Sequence, residues 1–275
     1  MVNSFYKIVG EPGRGCKIFF SDKRLDRLRV PINKVFSQMD AVDGSYILDL
    51  KDLITGKNKK ITNSIENIKR KTEDCLHKIM AARYSLSLIE NEILSAPSEI
   101  EMKNYSEMIA NKMCNQAELK NEVLIYETEA FLFQVRTNID IVIQLLKYVP
   151  GHDYLEDKNR KSDNEAFVFD KLEKDTTYKM RENSYFEMAD FFNKEVNDWI
   201  RELNKMRNEI AHRSGLNGFT NFVFDSGMEE VIHPKMPNGK DVEKYCSDIF
   251  DRLLTFYGKI FSDFVLPKIS NNWTN

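Results

Sequence analysis

The hexad Arg207-Asn208-Glu209-Ile210-Ala211-His212 gathers an arginine, an amide and an imidazole into about 1.5 helical turns. Those three groups suffice for phosphodiester chemistry without a metal. A guanidinium holds phosphate charge, an imidazole moves protons near neutral pH, and an amide orients one or the other. On an ideal helix Asn208 and His212 share a face, with Arg207 about 100° round from Asn208. His212 and Arg213 fall in the last turn before Gly215, where the helix dipole favours cations, the imidazolium included. The plainer alternative stands beside this one. Arg and His suit any helix C-terminus, and Asn208 then belongs to a solvated face.

Other candidates are weaker. Arg136 and Asp140 interrupt the apolar run AFLFQVRTNIDIVIQLL (130–146) at an i,i+4 spacing. They read either as an intrahelical ion pair beside the core or as support that orients the hexad's Arg or His, since burying a charge unpaired is costly. The stretch GEPGRGCK (10–17) carries glycines at the spacing of a phosphate loop. Cys16 stands where that loop needs lysine, and Lys17 where it needs Ser or Thr, so a hairpin turn is expected instead. The basic groups Lys23-Arg24-Arg27-Arg29 and Lys57-Lys59-Lys60 with Lys69-Arg70-Lys71 read as solvated faces, with guidance of RNA as the alternative. His77 and His152 have no ligand-like neighbours, and His233 stands before Pro234 in a turn. The four cysteines, Cys16, Cys75, Cys114 and Cys246, form no CxxC pair. Neither a zinc site nor a disulfide framework is suggested, and no metal or cofactor is expected.

At 275 residues the chain can bury an adequate core as one domain or two. Charged residues make up 30% and hydrophobic ones 42%, the composition of an ordinary globular protein. The formal net charge of −3 argues against a broad nucleic-acid coat and leaves room for a narrow site with a local basic patch. MVNSFYKIVGEPGRG lacks the apolar core of a signal peptide, and no run of 18 apolar residues occurs. A cytoplasmic protein without membrane contact is the expectation.

The elements that must position the hexad follow from periodicity. Residues 1–61 look β-containing. YKIVG and CKIFF flank the turn Glu11–Gly15, SYILDL and DLITGKNKK suggest a second pair, and SDKRLDRLRVPINKVFSQM suggests a short helix interrupted at Pro31. From Thr62 the spacing becomes helical, through Ile65, Ile68, Thr72, Leu76, Ile79, Leu86, Ile89 and Ile93, with Asn63 or Ser64 as N-cap. Ser95–Ser98 stops this helix, and Ser98 with Glu101 opens the next. Glu99 to Tyr148 contains no Gly or Pro, so it is either one long helix or a helix bent around 114–121. Residues 151–182 read as a charged surface connection with a short helix at 166–172. Tyr185, Ala189, Phe192, Val196, Trp199, Leu203, Met206 and Ile210 then trace the helix that delivers the hexad, stopped by Gly215 or Gly218. NFVFD and EEVIHP suggest a small hairpin, and Val242 to Leu266 the final helix. The expected division is a β-containing extension at 1–61 and a helical domain at 62–275.

With asparagine after the arginine, the hexad matches the R-x(4–6)-H signature of the HEPN ribonuclease family, which the chain resembles over about residues 100–268. The likeness is concentrated in the hexad and the apolar helix 130–146. The resemblance implies a mainly α fold, an antiparallel helical bundle of HEPN type, to which the sequence adds the β-containing N-terminal extension and a short C-terminal β-hairpin. It implies a metal-independent endoribonuclease, a toxin or antiviral-defence enzyme, working as a homodimer whose two motifs line one cleft. The interface is expected along the helix 183–213 and a neighbouring long helix. Arg207 would stabilise transition-state phosphate charge, His212 would act as general base or acid, and Asn208 would position one of them. Arg136 and Asp140 would support them. A 2′-OH attack leaving a 2′,3′-cyclic phosphate is the implied reaction. The partners implied are RNA, a second copy, and an antitoxin or defence-system protein. The alternative is a non-catalytic HEPN-like module that binds nucleotide, RNA or a partner protein.

Overall fold

A computed structural model describes residues 6–11, 15–20, 23–47, 57–94, 116–119, 122–149, 177–211, 216, 219–223, 229–232 and 234–273. Helix dominates. In chain order the elements are β1 (Tyr6–Glu11), β2 (Gly15–Phe20), α1 (Asp26–Ile47), α2 (Lys57–Leu94), β3 (Gln116–Leu119), α3 (Glu122–Leu146), α4 (Thr177–Glu182), α5 (Phe186–Glu195), α6 (Arg201–Glu209), β4 (Phe219–Val223), β5 (Glu229–Ile232), α7 (Val242–Lys259) and α8 (Leu266–Trp273). Among the described residues no helix is long and apolar enough to cross a membrane.

The chain divides into two units. The first comprises Met1–Met80, Thr137–Trp199 and Asp251–Asn275, and the second Ala81–Arg136 and Ile200–Phe250. The expected boundary at 61/62 falls inside α2.

In the first unit β1 and β2 pair antiparallel, Tyr6 opposite Phe20 and Glu11 opposite Gly15. After a 3-10 turn at Lys23–Leu25, α1 runs straight through Pro31, where an interruption was expected. Pro31 forfeits one bond, to the Arg27 carbonyl, early in the helix. Burial of Leu25, Leu28, Ile32, Val35 and Phe36 along one stripe offsets that loss, as α1 packs on α8 and the turn before it. Ser45-Tyr46-Ile47, expected in a strand, completes α1. A two-residue alternation over so few positions is too short to compete with a helix already under way. The remainder of that expected strand pair, residues 48–56, lies outside the described residues.

Helix α2 begins at Lys57, so Asn63 and Ser64 lie within it and cap nothing. Lysine is a good helix former, and the helix starts earlier than the apolar stripe that marks it in the sequence. Thr72, buried on it, donates its hydroxyl to the Ile68 carbonyl at 2.8 Å. Lys71 Nζ donates to Gln144 Oε1 at 2.7 Å, tying α2 to α3.

The aromatic core of this unit comes from α5 and α7. Phe192 and Phe256 meet edge to face at 5.7 Å, and Trp199 meets Phe256 at 6.2 Å, geometries that suit the ring quadrupole. A wide π turn at Ile260–Val265 joins α7 to α8. It ends two positions before Pro267, whose ring and missing N–H cannot continue regular i→i−4 bonding.

In the second unit the stretch around 114–121, read as continuous or bent helix, instead holds the strand β3. Its three-stranded antiparallel sheet has the order β3-β4-β5. Leu119 lies opposite Phe219 and Val223 opposite Glu229. The β3–β4 ladder thus joins the chain just before α3 to the chain just after the hexad. Residues 99–115, with the expected Ser98–Glu101 start, lie outside the described residues. So do 151–176, with the expected short helix at 166–172.

Candidate active site

The hexad rides on a helix that runs without interruption from Phe186 to Glu209. Val196 and Ile200, at its two junctions, both keep right-handed helical dihedrals. Its apolar stripe is the one the sequence shows: Phe192, Val196, Trp199, Leu203, Met206 and Ile210 are all buried. Between α5 and α6 a π turn, Val196–Ile200, adds a residue to the helical repeat and buries Ile200 beside Trp199.

A loop anchors the start of α6. Glu202 Oε1 accepts from Asn238 Nδ2 at 2.6 Å and from Lys240 Nζ at 3.4 Å. The loop is closed by Met236 N donating to the Lys240 carbonyl and Gly239 N donating to the Met236 carbonyl, each at 2.8 Å. Gly239 adopts φ +80° there, a left-handed conformation that glycine takes without steric cost.

At the other end of α6, Arg207 is half-buried and Asn208 exposed. Arg207 Nη1 donates to Asn208 Oδ1 at 3.0 Å. Adjacent helical side chains point about 100° apart, and the long arginine bends back to make this bond. Arg207 also helps line a pocket of about 330 Å³ with Tyr126, Glu129, Ala130, Phe133 and Gln134 of α3. Those five positions follow a 3-1-3-1 spacing, one side of a helix whose other side buries Leu124, Thr128, Phe131, Leu132 and Val135. The sheet explains the meeting. Pinning Leu119 to Phe219 brings the first turns of α3 and the last turns of α6 to the same end of the unit.

Of the residues singled out from sequence, Arg207 and Asn208 are bonded to each other. Arg136 and Asp140, both half-buried, project from the same side of α3 as Glu129 and Phe133, further along the helix. Asp140 is close enough to Tyr257 of α7 to help raise the pKa of its phenol. His212 and Gly215 lie outside the described residues, as do His152 and His233. The sequence reading missed Tyr126 and Phe133. Their signal was available: two large aromatics seven residues apart on the side of α3 opposite its apolar stripe.

A second group of titratable side chains lies in the core of the first unit. Tyr257 Oη donates to Asn138 Oδ1 at 2.7 Å, with the Asn138 carbonyl at 3.0 Å. Burial, with Cys75 alongside, pushes the Tyr257 phenol well above its ordinary value of 10.0. Burial likewise lifts the Cys75 thiol from 9.0 up to about 12 and raises Cys246 further. Thiols held neutral in this way are poor nucleophiles, so the group belongs to the core. In the second unit a larger depression of about 480 Å³ lies at the start of α7, among Pro234, Asp241, Glu243 and Asp248. Among the described residues, no three His, Cys, Asp or Glu side chains gather as a metal site requires.

No protein-family model, curated protein or solved structure matches this chain, and the reading of the site rests on its own residues.

Proposed function

We propose that the chain is a metal-independent endoribonuclease of HEPN type that acts as a homodimer on RNA in the cytoplasm, in toxin–antitoxin or antiviral defence. The fold this reading assumes is an antiparallel HEPN bundle, with β4 and β5 as its C-terminal hairpin and residues 1–61 as an extension. One observation carries it. Arg207, oriented by Asn208, reaches a pocket with room for part of a nucleotide, on the helix that continues into the hexad.

The chemistry follows from the groups. Arg207 binds the non-bridging oxygens of the scissile phosphate, where charge grows in the transition state. His212 takes the proton from the ribose 2′-OH, whose oxygen attacks phosphorus. The P–O5′ bond breaks, a proton is delivered to the leaving oxygen, and a 2′,3′-cyclic phosphate and a 5′-OH result. One hexad offers one imidazole. A second copy in a homodimer supplies the second proton-transfer group, and an antitoxin or defence partner would act by covering the cleft.

The test is product analysis. Purified protein incubated with RNA in EDTA is expected to yield fragments ending in 2′,3′-cyclic phosphate. RNA that is bound but never cut, in EDTA or in magnesium, would overturn the nuclease and favour the non-catalytic binding module.

A further inference from the structure

Tyr126 and Phe133 stand two turns apart on one side of α3, 64% and 48% exposed. Ala130 lies between them and leaves a slot with an aromatic ring at either end. Glu129, Gln134 and Arg207 complete the lining of the pocket. The volume, about 330 Å³, falls at the small end of the range for small-molecule sites, about 300–1,000 Å³.

We propose that this pocket holds one unpaired base of a single-stranded RNA, stacked on Tyr126 and Phe133, while Arg207 holds the adjoining phosphate. The proposal rests on the nuclease reading and names its substrate class. Each part of the lining meets a part of a nucleotide. The rings offer π-faces to a base, the guanidinium offers paired donors to a phosphate, and Glu129 accepts from an exocyclic amine. An apolar partner helix laid on the same face would strip water from Arg207 and Glu129 and return nothing for it. A nucleotide satisfies both. Duplex RNA is excluded because its bases are stacked within the helix and present no free face. The two rings therefore select unpaired RNA and fix which nucleotide lies next to the hexad.

The experiment uses a fluorescently labelled 2′-O-methyl RNA octamer. With its 2′-OH blocked it cannot be cut, so binding is read whether or not the protein is a nuclease. Affinity by anisotropy in EDTA is expected to fall about tenfold in Tyr126→Ala and in Phe133→Ala, the scale of losing one base stack. Phe133→Trp should restore it. An octamer with abasic sugars should bind wild type and both alanine variants alike, and a duplex should bind weakly to all. Unchanged octamer affinity in both alanine variants would overturn the proposal and leave the nuclease standing. So would a loss of affinity that tracks dissociation into monomers by light scattering, which would make this face a protein interface. Octamer binding that depends on both rings, in a protein that never cuts unmodified RNA, would keep the pocket and refute the nuclease.

Discussion

Arg207 donates through Nη1 to Oδ1 of its own neighbour, Asn208, at 3.0 Å. The contact uses one of the five guanidinium N–H groups, and in the proposed site the others would meet phosphate oxygens. It also restrains a long side chain that would otherwise sample many rotamers, so less ordering remains to be done when substrate binds. In the proposed site the amide after the arginine would act through the arginine.

That relationship makes a graded prediction. Arg207→Ala is expected to lower kcat for RNA cleavage by about 10²-fold or more, as removal of a transition-state donor does. Asn208→Ala should cost about tenfold, because the guanidinium remains but is no longer held. Arg207→Lys should recover little, since an ammonium cannot bind phosphate in the paired geometry. Single-turnover rates for the three variants check the ranking, and an Asn208→Ala loss equal to that of Arg207→Ala would show the amide to act directly.

Much of this site was legible in the sequence, and what was not has identifiable causes. The stripe from Phe192 to Ile210 could be read because packing enforces its spacing. The start of α2 could not, because the polar run Lys57–Lys60 precedes the apolar stripe and carries no periodic signal. β3 was hidden because a four-residue strand depends on the β4 partner more than a hundred residues away. Arg207 and Asn208 could be named, but their meeting with Tyr126 and Phe133 follows from the β3–β4 ladder, which no local pattern encodes.

Gly258 sits inside α7, and a Cβ added there would meet nothing within 4 Å. Gly258→Ala should therefore stabilise the protein by about 0.5–1 kcal/mol, through helix propensity and a less flexible unfolded chain. Urea unfolding should show a higher midpoint with unchanged slope. A lower midpoint would mean that the helix needs glycine's freedom at this position.

Ser184 ends α4 with φ +65°. Tyr185 N bonds to the Met180 carbonyl at 2.8 Å and Ser184 N to the Arg181 carbonyl at 3.0 Å. This is the Schellman pattern, in which glycine is preferred at the left-handed position. The left-handed backbone costs a non-glycine residue about 1–2 kcal/mol. Ser184→Gly should accordingly gain about 0.5–1 kcal/mol after its greater unfolded-state entropy is deducted. Thermal unfolding checks this, and a destabilised variant would contradict it.

Cys75 and Tyr257 set an alkaline limit on stability. The native state holds the Cys75 thiol up to about 12, whereas the unfolded chain releases that proton near 9.0. Tyr257 is shifted in the same direction. Between those values the unfolded state binds fewer protons than the native state, so stability falls as pH rises and is unaffected by these groups below about pH 9. Tm should drop as pH rises above about 9, and the drop should be shallower in Cys75→Ala. A Tm that holds or rises across that interval would contradict the buried, neutral assignment.

The most direct test of the central claim is the RNA cleavage rate in EDTA of His212→Ala beside wild type, with Tm measured on both. The account predicts cleavage by wild type without metal, a loss of about 10²-fold or more in the variant, and a stability change within about 0.5 kcal/mol. Full activity in His212→Ala would contradict it and reduce the hexad to a helix terminus, as would a wild type that leaves RNA intact.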